Sequence, residues 1–442
     1  MSASHGDVAF VVVVVSGTVA VRKASARFSR REYPNSLPAV NLLTGQPART
    51  PTPVRPAMQI PDPCLWYRMA KRFPLHQARG LIIRYGRAAT CWQVLNPGLA
   101  RWYTPDDRGV VGYRVHRRVC VVAGEPVCAP ERLATVCRDF ERFAAAAGRR
   151  VCYLAAEYPM VEALAAFTGY TAVPIGAQPV WRPGTLAAVF RETAALRYQL
   201  NRARHKGLSV VEWPIDRSAH PGLHRCLEAW LGAKALPALG FMTDPYLLYH
   251  MAGRRLWVAE CKRMIVGYAI LSPVPARRGW LVEQIVRGRQ APNGTAESLV
   301  SAAAQTLAAE NSRFITLGAA PLSRRGPRLG REHPLWLRAV MAWMRAHGTR
   351  FYNFRGLERF KAKFRPQRWE PVYAVATEAR IRPTTLYAVL GAFTTRSPLV
   401  EILQALGRGL EVEIENMSKG LPEKIKRPGR PSDGASRTTP RN

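Results

Sequence analysis

The chain has 442 residues, 48% of them hydrophobic, with 65 Lys and Arg against 30 Asp and Glu, for a formal net charge of +35. That apolar fraction excludes a disordered protein and suffices for two or three domains with real cores. A field of this sign repels basic partners and concentrates polyanions such as RNA or an anionic lipid surface.

The first sixty residues and the last twenty-four each carry five net positive charges, so +25 belongs to the body between them. In chain order, Val8 to Val15 is a continuous apolar run with Asp7 ahead of it and Arg22 and Lys23 beyond it. It is too short to span a bilayer and lacks the leading positive charge of an export signal. The expectation is a buried strand or an unstructured segment, not a membrane anchor, in a protein kept in the cytoplasm. Prolines and small polar residues from Arg31 to Pro63 suppress regular pairing and mark a linker, so residues 1–63 form a disordered, Pro-rich N-terminal segment.

"GVVGYRVHRRVCVVAG" then reads as strands, Pro130 to Gly148 as a helix and "RRVCYLAA" as a strand. This α/β pattern recurs: "RRLWVAECKRMIVGYAILSPV" as a hairpin, "RGWLVEQIVRG" as a strand, Thr295 to Asn311 as a helix and "SRFITLGAA" as a strand. Two similar units in series are expected, at residues 64–185 and 186–376, followed by a helical segment at 377–418 and a disordered basic tail at 419–442. Between the units, "FRETAALRYQLNRARHKG" begins as an amphipathic helix whose polar face carries Arg197, Arg202, Arg204 and Lys206. Such a face is either simply solvated or turned toward a polyanion.

The eight cysteines form no CxxC pair and sit in apolar runs, as small core residues of a reducing compartment do. His220 and His224 share the i, i+4 spacing of a metal pair, but no third ligand accompanies them, and no metal is expected. No GxSxG elbow or P-loop is present, so a hydrolase or nucleotidase has no residue basis.

Six strings occur in an order that resembles the C-terminal domain of the lysyl- and alanylphosphatidylglycerol synthases. They are "YRVHRRVCVVAGEPVCAP", with Glu125 where that family usually has Asp, then "LRYQLNRARHKG", "LPALGF", "RGRQAPNGTAE", "LGAAPLS" and "FYNFRGLERFKAKFRPQRWEPVYAV". The resemblance runs from about Pro74 to Tyr373 and implies tandem GNAT-like, mixed-sheet α/β domains between the basic tails. It also implies transfer of an amino acid from aminoacyl-tRNA to a hydroxyl of a lipid such as phosphatidylglycerol, without metal or cofactor. The partners implied are aminoacyl-tRNA and the anionic inner face of the cell membrane, where the protein would be peripheral. Relatives occur fused to flippase or synthetase segments; this chain shows neither, so a lipid product implies a separate flippase.

For the chemistry, the resemblance points to Arg287 as an anchor for phosphate or carbonyl oxygens, and to one of Lys361 and Lys363, whose orientation depends on whether "FKAKF" is extended or helical. Three residues before Arg287, where the family usually has Asp, stands Gln284 with Glu283 beside it. Neighbours on a strand face opposite ways, so Glu283 replaces Gln284 only through a change of register. Glu283 and Glu297 are the acid or base candidates. Substrate binding is expected at Arg202, Asn293, Gly294, Ser323, Gly240 and Phe241; Asn293 and Gly294 suit a turn that aims free helix amides at an anion. An acyl-CoA-dependent N-acyltransferase and a non-catalytic RNA- or membrane-binding scaffold are the competing expectations.

Overall fold

The computed structural model describes residues 75–233, 240–347 and 353–394, all within one compact unit. The Val8 run, the Pro-rich segment, Cys64, Leu236 to Leu239, Phe351, Tyr352 and the basic tail lie outside the described residues.

Among the described residues thirteen strands form one mixed sheet, eleven of them in a continuous path. The first half contributes β1 (Ala100–Tyr103), β2 (Gly109–His116), β3 (Val119–Ala123), β4 (Val127–Cys128), β5 (Arg150–Glu157) and β6 (Thr171–Trp181). The second contributes β7 (Leu208–Trp213), β8 (Arg255–Cys261), β9 (Met264–Val274), β10 (Gly279–Arg287), β11 (Phe314–Thr316), β12 (Ala320–Pro321) and β13 (Arg368–Ala376). The path runs β1-β2-β3-β5-β13-β6-β11-β10-β9-β8-β7. β13 comes last in sequence yet lies antiparallel between β5 and β6. The halves meet where Ile315 and Thr316 of β11 pair with Trp181 and Val180 of β6. This is a mixed α/β arrangement of two halves, with one sheet carried across both.

Local sequence explains the elements. β3 reads VCVVA and is buried throughout, as a strand paired in parallel with β5 and covered on both faces must be. On one face of the first half lie α2 (Leu133–Ala146) and α3 (Tyr158–Leu164), whereas α1 (Leu75–Tyr85) packs Ala78 and Ile82 against Val110 of β2 and Val127 of β4, in a separate cluster. Seven described cysteines are free, six of them buried.

In the second half, α4 (Pro183–Glu192), α5 (Ala194–His205) and α7 (Thr295–Ala309) cover one face, and α6 (Pro221–Gly232) covers the other. Leu299, Val300, Ala303, Ala304 and Leu307 give α7 the stripe that seats it on β8, β9 and β10. The helix expected to begin at Phe190 is interrupted: Thr193 is extended, at φ −81° and ψ 109°, and separates α4 from α5. The break lets Phe190 stay in the α7 core while α5 turns to set Leu196 and Ala203 against the same core. Near the C-terminal end come α8 (Leu335–His347), α9 (Phe354–Ala362) and α10 (Pro383–Phe393).

Candidate active site at the splayed strands

β10 pairs in parallel with β11 over Gly279–Leu281 alone. Past Thr316 the chain leaves that edge, and Ala320 and Pro321 of β12 pair with Ala177 and Gly176 of β6 instead. β10 runs on to Arg287. Between its second half and the Leu317–Ser323 segment the strands therefore splay, and no described strand covers that edge of β10. Backbone groups there are left to bind something other than a strand.

α9 delivers the lysines. Asn353 caps it, its Oδ1 accepting from the Gly356 amide at 2.7 Å. Phe360 and Phe364 pack into the α7 core. Lys361 is 5% exposed, and its Nζ donates at 2.8 Å to the carbonyls of both Gly318 and Ala319, at the start of the splayed segment. Burial, with no carboxylate partner among the described residues, lowers its pKa to about 7. A neutral amine that donates both N–H groups keeps its lone pair, which is what a general base needs.

Lys363 differs. Its ammonium is ion-paired with Glu297 Oε1 and lies 4.9 and 5.3 Å from the ring centres of Phe360 and Phe364. The run is helical, so lysines two positions apart leave the helix in different directions. Glu297, expected as an acid or base candidate, is buried in the first turn of α7, and its Oε2 has no hydrogen-bond partner.

α7 starts from the predicted turn. Gly294 has φ +99°, and a Cβ there would lie 2.8 Å from the carbonyl oxygen of Gln199 and 3.1 Å from Ala203 Cβ on α5. The first-turn amides of α7 have no side-chain cap, which suits an anion. Arg202 and Arg204 occupy the exposed side of α5 beside this turn, and Arg287 is exposed at the end of β10 with no ion pair among the described residues. Gly294→Ala is expected to cost about 1–2 kcal/mol from the backbone angle alone, with more from the contact with α5; chemical denaturation would measure it.

Glu283 is the site of the register change. Val282 pairs with Leu271 and Gln284 with Ile270, so Glu283 is the extra residue of a β-bulge. As a result Glu283 and Gln284 face the same side, away from α7. Glu283 Oε2 accepts from Arg254 Nε at 3.1 Å and from Ser272 Oγ, whereas Gln284 Nε2 donates to the Pro245 carbonyl at 2.8 Å. Arg254 also donates to the His250 carbonyl at 2.6 Å and Asn96 Oδ1 at 2.8 Å. The Oε1 atoms of both Glu283 and Gln284 are buried without partners.

Two further residues gather here that sequence reasoning passed over, Asp244 and His250. Burial raises the Asp244 pKa, with Glu283 adding to the rise, while burial lowers that of His250. The string "TDPYLLYH" carried them, but nothing local ties it to β10.

The remaining candidates serve the frame. The Gly240 amide donates to the Phe393 carbonyl at 2.9 Å, and Phe241 is buried edge-on to Phe393. Buried Ser323 accepts from the Arg325 amide at 3.1 Å and shapes the turn that leaves the splayed segment. His220 caps α6 through Nδ1 at 3.1 Å from the Gly222 amide, and His224 packs on Tyr249.

A sequence profile of the family described as phosphatidylglycerol lysyltransferase, C-terminal, matches residues 79–376. The chain belongs to this family. Among curated proteins it is 25% identical over 303 residues to an uncharacterised protein of Corynebacterium glutamicum, covering 62% of this chain and 36% of that protein. It is 26% identical over 309 residues to the lysylphosphatidylglycerol biosynthesis bifunctional protein LysX of a Mycobacterium species, covering 64% of this chain and 26% of that one. The chain thus matches about a quarter to a third of these relatives' length. The fold is shared with a C-terminal domain assigned to lysylphosphatidylglycerol synthetase in Agrobacterium fabrum, at TM-score 0.61, 20% identity and coverage of 73% of this chain and 96% of that one. L-PGS of Bacillus licheniformis also shares it, at TM-score 0.57, 19% identity and coverage of 76% and 96%.

Proposed function

We propose that the protein is an aminoacyltransferase that moves an amino acid from aminoacyl-tRNA to a hydroxyl of an anionic membrane lipid such as phosphatidylglycerol. The observation that carries this is Lys361, a buried lysine with no counter-ion among the described residues, at the mouth of the splayed strands in a member of this family. Lys361 Nζ takes the proton of the acceptor hydroxyl as its oxygen attacks the ester carbonyl. The tetrahedral intermediate then collapses, the bond to the terminal ribose oxygen breaks, and the proton passes from Lys361 to that leaving oxygen.

The free amides at the start of α7, with Arg287 and Arg202, hold phosphate and developing negative charge. Lys363, paired with Glu297, fixes α9 to α7 and so positions Lys361. Asp244 and the unpartnered buried oxygens of Glu283 and Gln284 are acceptors suited to the ammonium of the aminoacyl group. Among the described residues no helix is long and apolar enough to cross a membrane; the charge of +35 supports attachment to the anionic inner leaflet as a peripheral protein.

The test is expression in a host whose membrane lacks aminoacylated lipids, with mass spectrometry of the lipid extract. A new aminoacyl ester, absent when Arg287→Ala is expressed, is the expected result. An unchanged extract from folded protein that binds coenzyme A would instead support an acyl-CoA-dependent N-acyltransferase, since the splayed strands also suit an extended thiol cofactor. Neither product nor coenzyme A binding would leave a non-catalytic scaffold.

A further inference from the structure

A second group of buried charges lies in the first half, apart from β10 and α9. Glu125 occupies the turn between β3 and β4 and is 8% exposed. Its Oε1 accepts from the Glu157 amide at 2.6 Å, and no hydrogen bond from the described residues reaches its Oε2. Glu157, at the end of β5, is well supplied: its Oε1 accepts from the Ala89 amide at 2.8 Å and Gln178 Nε2 at 2.9 Å, and its Oε2 lies 3.5 Å from Arg277 Nη1. Arg277 is in turn held bidentately by Glu370, at 2.8 and 2.6 Å.

Arg277 is thus engaged by Glu157 and Glu370, and the other cation near Glu125 is Arg87, which makes no hydrogen bond or ion pair with it among the described residues. Glu125 lines a cavity of about 210 Å³ whose other walls include Val127, Leu133 and Ala163. The titratable groups around that cavity are Tyr85, Arg87, Cys91 and Cys128, with Glu157 behind Glu125. Arg87 is exposed, so the interior offers Glu125 no buried counter-charge.

We propose that this cavity binds a small molecule bearing a primary ammonium on an apolar body, with the ammonium docked on Glu125. An isolated carboxylate beside a second carboxylate in an apolar pocket is costly, and a cation that enters with its own apolar surface relieves both the repulsion and the desolvation. A neutral ligand gives Glu125 no reason to ionise and leaves its carboxyl protonated. With the cavity empty, burial and the nearby Glu157 charge push the Glu125 carboxyl up to about 8, so it is protonated at neutral pH. Docking of an ammonium ionises it, and the proton leaves to the buffer.

The probe is n-butylamine, with 1-butanol as the neutral isostere, titrated calorimetrically into the full chain near pH 7 in phosphate and in Tris. The expected result is saturable binding of the amine, a heat that differs between buffers by about one proton released per amine bound, and no such release with butanol. Glu125→Gln, whose amide oxygen still accepts from Glu157, should weaken amine binding about tenfold or more and abolish the proton release. Ala163→Leu, which fills the cavity from α3 and leaves Glu125 in place, should block binding as well. Equal binding of butanol and butylamine, binding without proton release, or no saturable amine binding by the folded wild type would each overturn the proposal. The readout is independent of aminoacyl transfer, so failure of that reading leaves this one standing.

Discussion

Lys361→Met is expected to reduce kcat/KM for transfer by about 10²–10⁴, the range associated with loss of a general base. In the wild-type enzyme the acid limb of kcat/KM should break near pH 7, because below the lowered pKa of about 7 the amine is protonated and has no lone pair to offer. Between about 7 and the reference value of 10.5 the unfolded chain binds a proton at this residue that the folded chain does not, so stability contributed through Lys361 rises with pH across that window. Denaturant midpoints measured across the same range would show the slope in wild type and its loss in Lys361→Met. A variant that loses the pH slope yet keeps full transfer would remove Lys361 from the chemistry. Lys361→Arg should not restore activity, since a guanidinium stays charged.

The largest stability effect is expected at Arg254. Its side chain is 2% exposed and that of Glu283 is 5% exposed, so solvent screens little of the pair. Arg254→Met would strand the Glu283 carboxylate in the interior and leave the His250 carbonyl and Asn96 Oδ1 without their donor. A loss of about 3–5 kcal/mol is expected for removing one partner of such a pair. The double variant Arg254→Met with Glu283→Gln should recover a substantial part, because the buried charge is then gone. If the double variant is no more stable than Arg254→Met alone, the cost lies in the lost hydrogen bonds and not in the stranded carboxylate. The same cycle bears on function, since Glu283 and Gln284 carry the acceptor oxygens proposed for the donor's ammonium. Loss of Arg254 should therefore raise KM for the aminoacyl donor even at temperatures where the fold survives.

Much of this was legible in the sequence where the determinants are local. The strand and helix pattern from Tyr113 to Leu154 and from Arg255 to Thr316 followed from periodicity, and the Asn293 and Gly294 turn from the freedom of glycine at positive φ. The order of six strings carried the family. The residues around Thr193 all tolerate a helix, yet tertiary packing places Phe190 and Leu196 on one core through two differently directed segments.

What the sequence by itself determined was the class of fold, the family, and the short list containing Lys361, Lys363, Glu283 and Arg287. Tertiary structure alone decided their surroundings. Alternation along a strand assumes an unbroken ladder, and only the pairing with β9 reveals the bulge that turns Glu283 and Gln284 to one face. The two lysines of "FKAKF" are alike in sequence but not in surroundings. Lys361 is desolvated beneath two carbonyls from a segment 42 residues away, whereas Lys363 meets a carboxylate on α7. Burial and charge pairing are set by residues distant along the chain, and a pKa follows from them and not from the neighbours in sequence.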